Sequence, residues 1–248
     1  MKKILFLIIL FLIIYSLLNK DIEVIKVDLP PPQNYEVFLA SEDIKEEIIP
    51  IIKEKIEKKE ELNLNIPFTS QAPSANWDQP YQDACEEAVL LMVDYYYQEK
   101  ELPFPEEREK IIKEMVSWQE ENWGGHFNLP ISKLKEFGEE YFNYQIEIIF
   151  DLNTEKIKYY LDQGLPIIVP VNGQELNNPY FNNGGPEYHM LVIKGYLDNK
   201  FITNDPGTKR GEDFIYTTDN LLNSIADWDT KKSHTDMGLK IGLIILKN

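Results

Sequence analysis

The 248-residue chain carries a single cysteine, Cys85, and three histidines, His126, His189 and His234. A lone thiol closes no intrachain disulfide and builds no cysteine-based zinc site, so Cys85 is either a small buried hydrophobe or a reactive nucleophile. Its neighbours favour the nucleophile. The run Asp83-Ala84-Cys85-Glu86-Glu87-Ala88 places the sulfur in the first turn of a helix, with Asp83 as the expected N-cap. Unpaired backbone N–H groups and the positive end of the helix dipole favour a thiolate at that position, and the Cys85 amide can donate to an oxyanion. Glu86 and Glu87 oppose the thiolate, so the site needs a cation, and a histidine would supply it.

Of the three histidines, His126 follows Gly124-Gly125 and His234 sits in a polar stretch, which reads as loop or surface placement for both. His189 differs. It stands directly before Met190-Leu191-Val192-Ile193, and a polar ring at the head of a core strand needs a partner. Asp205, in Asn204-Asp205-Pro206-Gly207, ends the next strand and is the candidate partner, although Asp-Pro-Gly is also an ordinary turn signal. An odd hairpin loop, for example residues 197–199 with Ile193 opposite Thr203, makes Leu191 face Asp205 and puts His189 and Asp205 on one face. An even loop puts Asp205 opposite Val192, on the wrong face.

These three groups suffice for covalent acyl chemistry. His189 takes the Cys85 proton, the thiolate attacks a carbonyl carbon to give a thioester, and Asp205 holds the imidazole tautomer. No metal or organic cofactor is needed. Trp77 and Tyr188, by adjacency, are the aromatic residues expected to contact substrate, and residues 172–186, with Gly184-Gly185, read as a loop overhanging His189.

The elements that must position this chemistry follow from periodicity. Ala84, Ala88, Leu91, Met92 and Tyr95 mark the buried face of a helix over residues 84–97. Pro105 opens a second helix that stops before Gly124-Gly125, and Pro130 opens a third with Leu134 and Phe137 inward. The period then changes. Residues 144–150 alternate as a half-buried strand, Asn153 or Thr154 caps a short helix that ends at Gly164, and residues 166–171 form a buried strand. Residues 189–196 and 201–204 form a hairpin around Asp198-Asn199, and residues 241–246 supply a last strand. Helices followed by an antiparallel sheet make an α+β domain.

This domain spans residues 63–248. Ahead of it, Met1-Lys2-Lys3 and an apolar run over residues 4–18 read as an export signal, either an uncleaved membrane anchor or a cleaved signal peptide, within residues 1–20. Residues 21–62, with Pro30-Pro31-Pro32 and isoleucines spaced along a charged helix, read as a stalk. The domain is then expected outside the cytoplasm, held at the cell membrane, or secreted if the signal is cleaved. A net charge of -17 argues against nucleic acid as a partner, because phosphate binding needs Lys and Arg. Composition does not specify an oligomeric state.

Ile66-Pro-Phe-Thr-Ser-Gln-Ala-Pro, Asn76-Trp-Asp, Ala84-Cys-Glu-Glu-Ala, Tyr188-His-Met-Leu-Val-Ile-Lys-Gly-Tyr and Asn204-Asp-Pro-Gly, in this order, resemble the double-glycine (bacteriocin-processing) peptidase-like family of papain-clan cysteine peptidases. The resemblance covers roughly residues 64–246. It implies a papain-like fold, a peptide or protein substrate, Cys85 as nucleophile, His189 as base, Asp205 as orienting residue and Gln71 as oxyanion donor. Gln79, six residues before Cys85, is the alternative donor. The family's leader-trimming peptidases are fused to transporters, which this chain lacks, so a non-catalytic surface domain and a cell-wall peptide amidase or acyltransferase stand as alternative readings.

Overall fold

The computed structural model describes residues 61–237 and 239–246; the expected anchor and most of the stalk lie outside them. A short strand, β1 (Glu61–Asn63), leads into a loop and a 3-10 turn (Tyr81–Asp83). Three helices follow: α1 (Cys85–Tyr97), α2 (Pro105–Trp123) and α3 (Ile131–Phe142). Then come β2 (Gln145–Ile149), α4 (Thr154–Leu161), β3 (Ile167–Val171), β4 (His189–Leu197), β5 (Lys200–Asn204) and β6 (Phe214–Thr217). A short α5 (Thr218–Ser224), the strands β7 (Asp227–Asp229) and β8 (His234–Asp236), and β9 (Gly242–Leu246) complete the order.

The architecture is α+β, with an antiparallel sheet in the order β2-β9-β3-β4-β5-β6 and β1 paired to the far end of β4. Both faces of this sheet are covered, so its central strand is apolar without alternation: every residue from His189 to Tyr196 is buried. Met190 and Val192 join Val89, Met92, Leu134 and Phe137 in the core on one face, while Leu191 and Ile193 join Ile157, Leu161 and Phe201 on the other. Helix α1 packs on β4 and is buried at every position from Cys85 to Asp94. Burying each of its Leu90, Leu91 and Met92 side chains contributes about 1.5–3 kcal/mol. No described helix is long and apolar enough to cross a membrane.

The helix starts follow the sequence. Pro105 occupies the first turn of α2, where its missing N–H costs nothing, Gly124 closes that helix at φ 79°, and Asn153 caps α4 by accepting from the Lys156 amide at 2.9 Å. Asp83 is an exception. The 3-10 turn runs straight into α1, so Ala84 takes the cap position with no side-chain cap, and Asp83 accepts from Gln79 Nε2 at 2.6 Å instead.

The hairpin is reached by a different route from the odd loop. Leu197 pairs with Lys200 across a two-residue turn, Asp198-Asn199, an even loop that by itself would turn Asp205 to the wrong face. A bulge between Ile193 and Gly195 restores the pairing of Ile193 with Thr203 and Val192 with Asn204. The extra residue is Lys194, buried and bound to Asp213 Oδ1 at 2.7 Å. One inserted residue thus moves Asp205 to the His189 side.

Candidate active site

His189, the first residue of β4, is 1% exposed, and its Nε2 lies 2.8 Å from Asp205 Oδ1. The carboxylate is fully enclosed. Its Oδ1 also accepts from the Gly207 amide at 3.0 Å, while Oδ2 accepts from the Tyr216 hydroxyl at 2.6 Å and from Asn178 Nδ2 at 3.1 Å. Burial acts to raise the Asp205 pKa, but the His189 charge and hydrogen bond, with the Tyr216 and Gly207 donors, outweigh it and hold the carboxyl below its ordinary range. The Phe181 ring stands edge-on to the imidazole at 5.4 Å between centroids. Engaging Nε2 leaves Nδ1 as the ring nitrogen open to a second partner.

Cys85 opens α1, and Cys85 and His189 both line one cleft of about 680 Å³. Trp77, Tyr188 and Gln71 line it too, as do Tyr180, Phe181, Lys209 and Arg210. The structure therefore brings all six residues expected at the site to one place, with Asp205 behind the histidine. Tyr188 is anchored: its hydroxyl donates to the Leu129 carbonyl at 2.7 Å. The overhanging loop contributes Phe181 and Asn182 to the rim, and through Asn178 it also braces Asp205.

The thiol itself donates to Glu86 Oε2 at 2.9 Å. Burial first, then the Glu86 charge and hydrogen bond, then the Glu87 charge, push the Cys85 thiol well above its ordinary value; the Met190 amide pulls the other way. The helix-terminus effect expected to favour a thiolate is thus outweighed by burial first, and then by the two carboxylates on the same turn. Glu86, 1% exposed, is raised to about 7 by burial and by Glu87, against the lowering effect of the Cys85 thiol and the Leu129 amide, which donates to Oε1 at 2.9 Å.

The two glutamines behave differently. Gln71 is buried at the cleft wall and donates through Nε2 to the Tyr81 carbonyl at 3.0 Å and the Gln82 carbonyl at 2.8 Å, with Oε1 unpartnered. Its backbone N–H and the Ser70 hydroxyl both reach the Pro206 carbonyl, which ties this loop to the turn that carries Asp205. Gln79 is exposed and bound to Asp83.

His126 takes the loop placement expected for it but is largely enclosed. It lies in the loop after α2, but its ring is only 10% exposed and sits 3.4 Å from Glu87 Oε1, beside the Gln119 amide that donates to the same carboxylate. Burial disfavours its charge, yet Glu87, Glu86 and Asp83 together raise its pKa. His234 is exposed. Sequence reasoning did not single out Asn178, Phe181 or Tyr216, although the first two lie in the loop expected over His189 and the alternation Phe214-Ile215-Tyr216 offered a signal for the third.

The Peptidase_C39 like family model matches residues 63–234, most of the chain. The chain belongs to this family. Membership suggests a cysteine peptidase. A solved structure from Bacillus anthracis, described as that of a C39-like peptidase, has the same fold: TM-score 0.50 at 14% identity, covering 77% of this chain and 99% of that one. No curated protein matches. The described residues contain no cluster of three His, Cys, Asp or Glu side chains able to hold a metal ion.

Proposed function

We propose that this C39-like chain is a peptidase working through Cys85, His189 and Asp205, held outside the cytoplasm by residues 4–18. The observation that carries the reading is the Asp205-bound His189 sharing one cleft with a cysteine at a helix start. His189 Nδ1 accepts the thiol proton, and the thiolate adds to a peptide carbonyl. The oxyanion accepts from the Cys85 amide, which has no intrahelical partner at the first position of α1, and from Gln71 once a substrate oxygen displaces one of its carbonyl partners. The amine departs with the His189 proton, and water resolves the thioester. Trp77 and Tyr188 border the substrate path. Cleavage after paired glycines would extend the family resemblance.

One observation favours the non-catalytic reading: the thiol proton is engaged by Glu86, not by the imidazole. Alkylation of Cys85 separates the two readings, because the chain has one cysteine. Iodoacetamide should label it faster than a free thiol, with a rate that falls about a hundredfold in His189→Ala. A rate equal to that of an ordinary buried thiol and indifferent to His189 would leave only a binding domain.

A further inference from the structure

The helix-start glutamates are the feature that the proposed triad leaves unused. Glu86 is enclosed against the reacting sulfur, fixed from both sides: the Cys85 thiol donates to Oε2 at 2.9 Å and the Leu129 amide to Oε1 at 2.9 Å. A structural clasp on the Leu129 loop would need only Oε1. The second oxygen is spent on the nucleophile.

We propose that Glu86 is a further catalytic residue of this site, a proton gate on Cys85: ionised, it holds the thiol proton and blocks attack, and protonated, it donates its O–H to the sulfur and lets the thiolate form. The inference rests on the peptidase reading. The balance is simple. In the gated form the carboxylate accepts from S–H, so loss of that proton would place two anions 2.9 Å apart. In the open form the S–H bond breaks, its proton passes to His189 Nδ1, and the neutral Glu86 carboxyl donates to the new thiolate. No proton is gained or lost in that step, only moved from sulfur to nitrogen.

The surroundings suit a carboxyl that changes charge near neutral pH. On its own helix it meets Cys85 and Glu87; from the loop after α2 come the His126 ring, paired with Glu87, and the Leu129 amide. From the segment before β4 comes Tyr188, neutral and close to Asp227, and Asp83 of the 3-10 turn adds a further negative charge near His126. Burial and Glu87 favour the protonated form of Glu86, and its value of about 7 puts the gate within ordinary solution conditions. His126 modulates it: as a cation beside Glu87 it weakens the repulsion that favours the Glu86 proton.

The test uses the full chain and its single thiol. Iodoacetamide is uncharged, so its rate reports thiolate and not local charge. The wild-type rate constant should pass through a maximum below about pH 7 and then decline before free thiol ionisation takes over. Glu86→Gln, which keeps an acceptor for Leu129 and a permanent donor to sulfur, should lose that decline and react about tenfold faster at pH 8. Thiolate absorbance near 240 nm, titrated in parallel, should show the Cys85 ionisation moved down by the substitution. Glu87→Gln, which removes charge but touches no sulfur, should move it less. A rate that rises monotonically in wild type, with Glu86→Gln superimposed on it, overturns the gate while leaving a His189-dependent peptidase intact. If His189→Ala leaves the rate unchanged yet the absorbance titration still moves with Glu86→Gln, the peptidase reading has failed and only the thiol–carboxyl coupling remains, which also overturns the gate as a catalytic device.

Discussion

Tyr216 and His189 grip opposite oxygens of one buried carboxylate: the phenol donates to Asp205 Oδ2 at 2.6 Å while the imidazole Nε2 meets Oδ1 at 2.8 Å. The phenol comes from β6, two strands away from the histidine, so the sheet itself fixes the orienting residue. Removing one donor from a buried charge leaves much of its desolvation uncompensated. Tyr216→Phe keeps the ring packing and deletes only the hydroxyl, leaving Oδ2 with Asn178 alone. Its unfolding free energy should fall by about 1.5–3 kcal/mol, with iodoacetamide reactivity of Cys85 reduced less than in Asp205→Ala. Denaturant titration beside alkylation kinetics checks both. Unchanged stability would show that the phenol is not holding the carboxylate.

Gly207 supports the same imidazole by having no side chain. A Cβ built there would lie 2.9 Å from His189 Cε1 and 2.8 Å from a Phe181 ring carbon, closer than such contacts occur. The ring or the loop must move. Gly207→Ala should therefore keep the fold, at a cost of about 1–3 kcal/mol, while lowering Cys85 alkylation through a displaced His189. Circular dichroism establishes folding and the labelling rate reads the site. Full reactivity in a folded variant would mean that the ring position matters little.

How far the site was legible depends on which level of organisation carries each residue. The positions of Cys85, His189 and Asp205 in the fold were readable because each sits at a boundary, the start of a helix, the start of a strand or the end of one, where local pattern is strongest. The register joining the last two was not. The turn Asp198-Asn199 is the short loop that its residues suggest, and the compensating bulge falls on Lys194, a buried lysine whose partner Asp213 is 19 residues away. Nothing local marks it. The enclosure of Glu86 and of the His126 ring was not legible for the same reason. Charged residues on a helix and in a Gly-Gly loop look solvated until the packing of α1 beneath the Leu129 loop encloses them.

Gln71 and Gln79 make opposite predictions. The Gln71 amide lies at the cleft wall and links the Tyr81 and Gln82 carbonyls, whereas Gln79 faces solvent and binds Asp83. Loss of an oxyanion donor typically costs about a hundred- to a thousandfold in turnover, or roughly 3–4 kcal/mol. Once a cleavable peptide is found, Gln71→Ala should show a loss of that order in kcat with little change in alkylation, since labelling forms no oxyanion. Gln79→Ala should stay near wild type. The reverse ranking would assign the oxyanion role to Gln79.

Stability should peak on the acidic side of neutrality. The Glu86 carboxyl rises from 4.5 to about 7 on folding, so the native state binds the extra proton across that interval and stability falls as pH rises through it. At about 1.4 kcal/mol per tenfold change the effect is about 3 kcal/mol in total. His126 acts in the same direction: its raised pKa adds stability below 6.5 that disappears as pH climbs through the folded value. Asp205 is opposite. Its lowered pKa adds stability above 3.8 that is lost as pH falls through the folded value. The optimum therefore lies between about pH 4 and 6. Glu86→Gln should flatten the decline between pH 4.5 and 7 and leave the variant more stable than wild type at pH 8, with the acid limb unchanged. Melting temperatures across the pH range decide it. If wild type and Glu86→Gln melt in parallel throughout, Glu86 does not carry its proton into the neutral range and the charge balance around Cys85 must be redrawn.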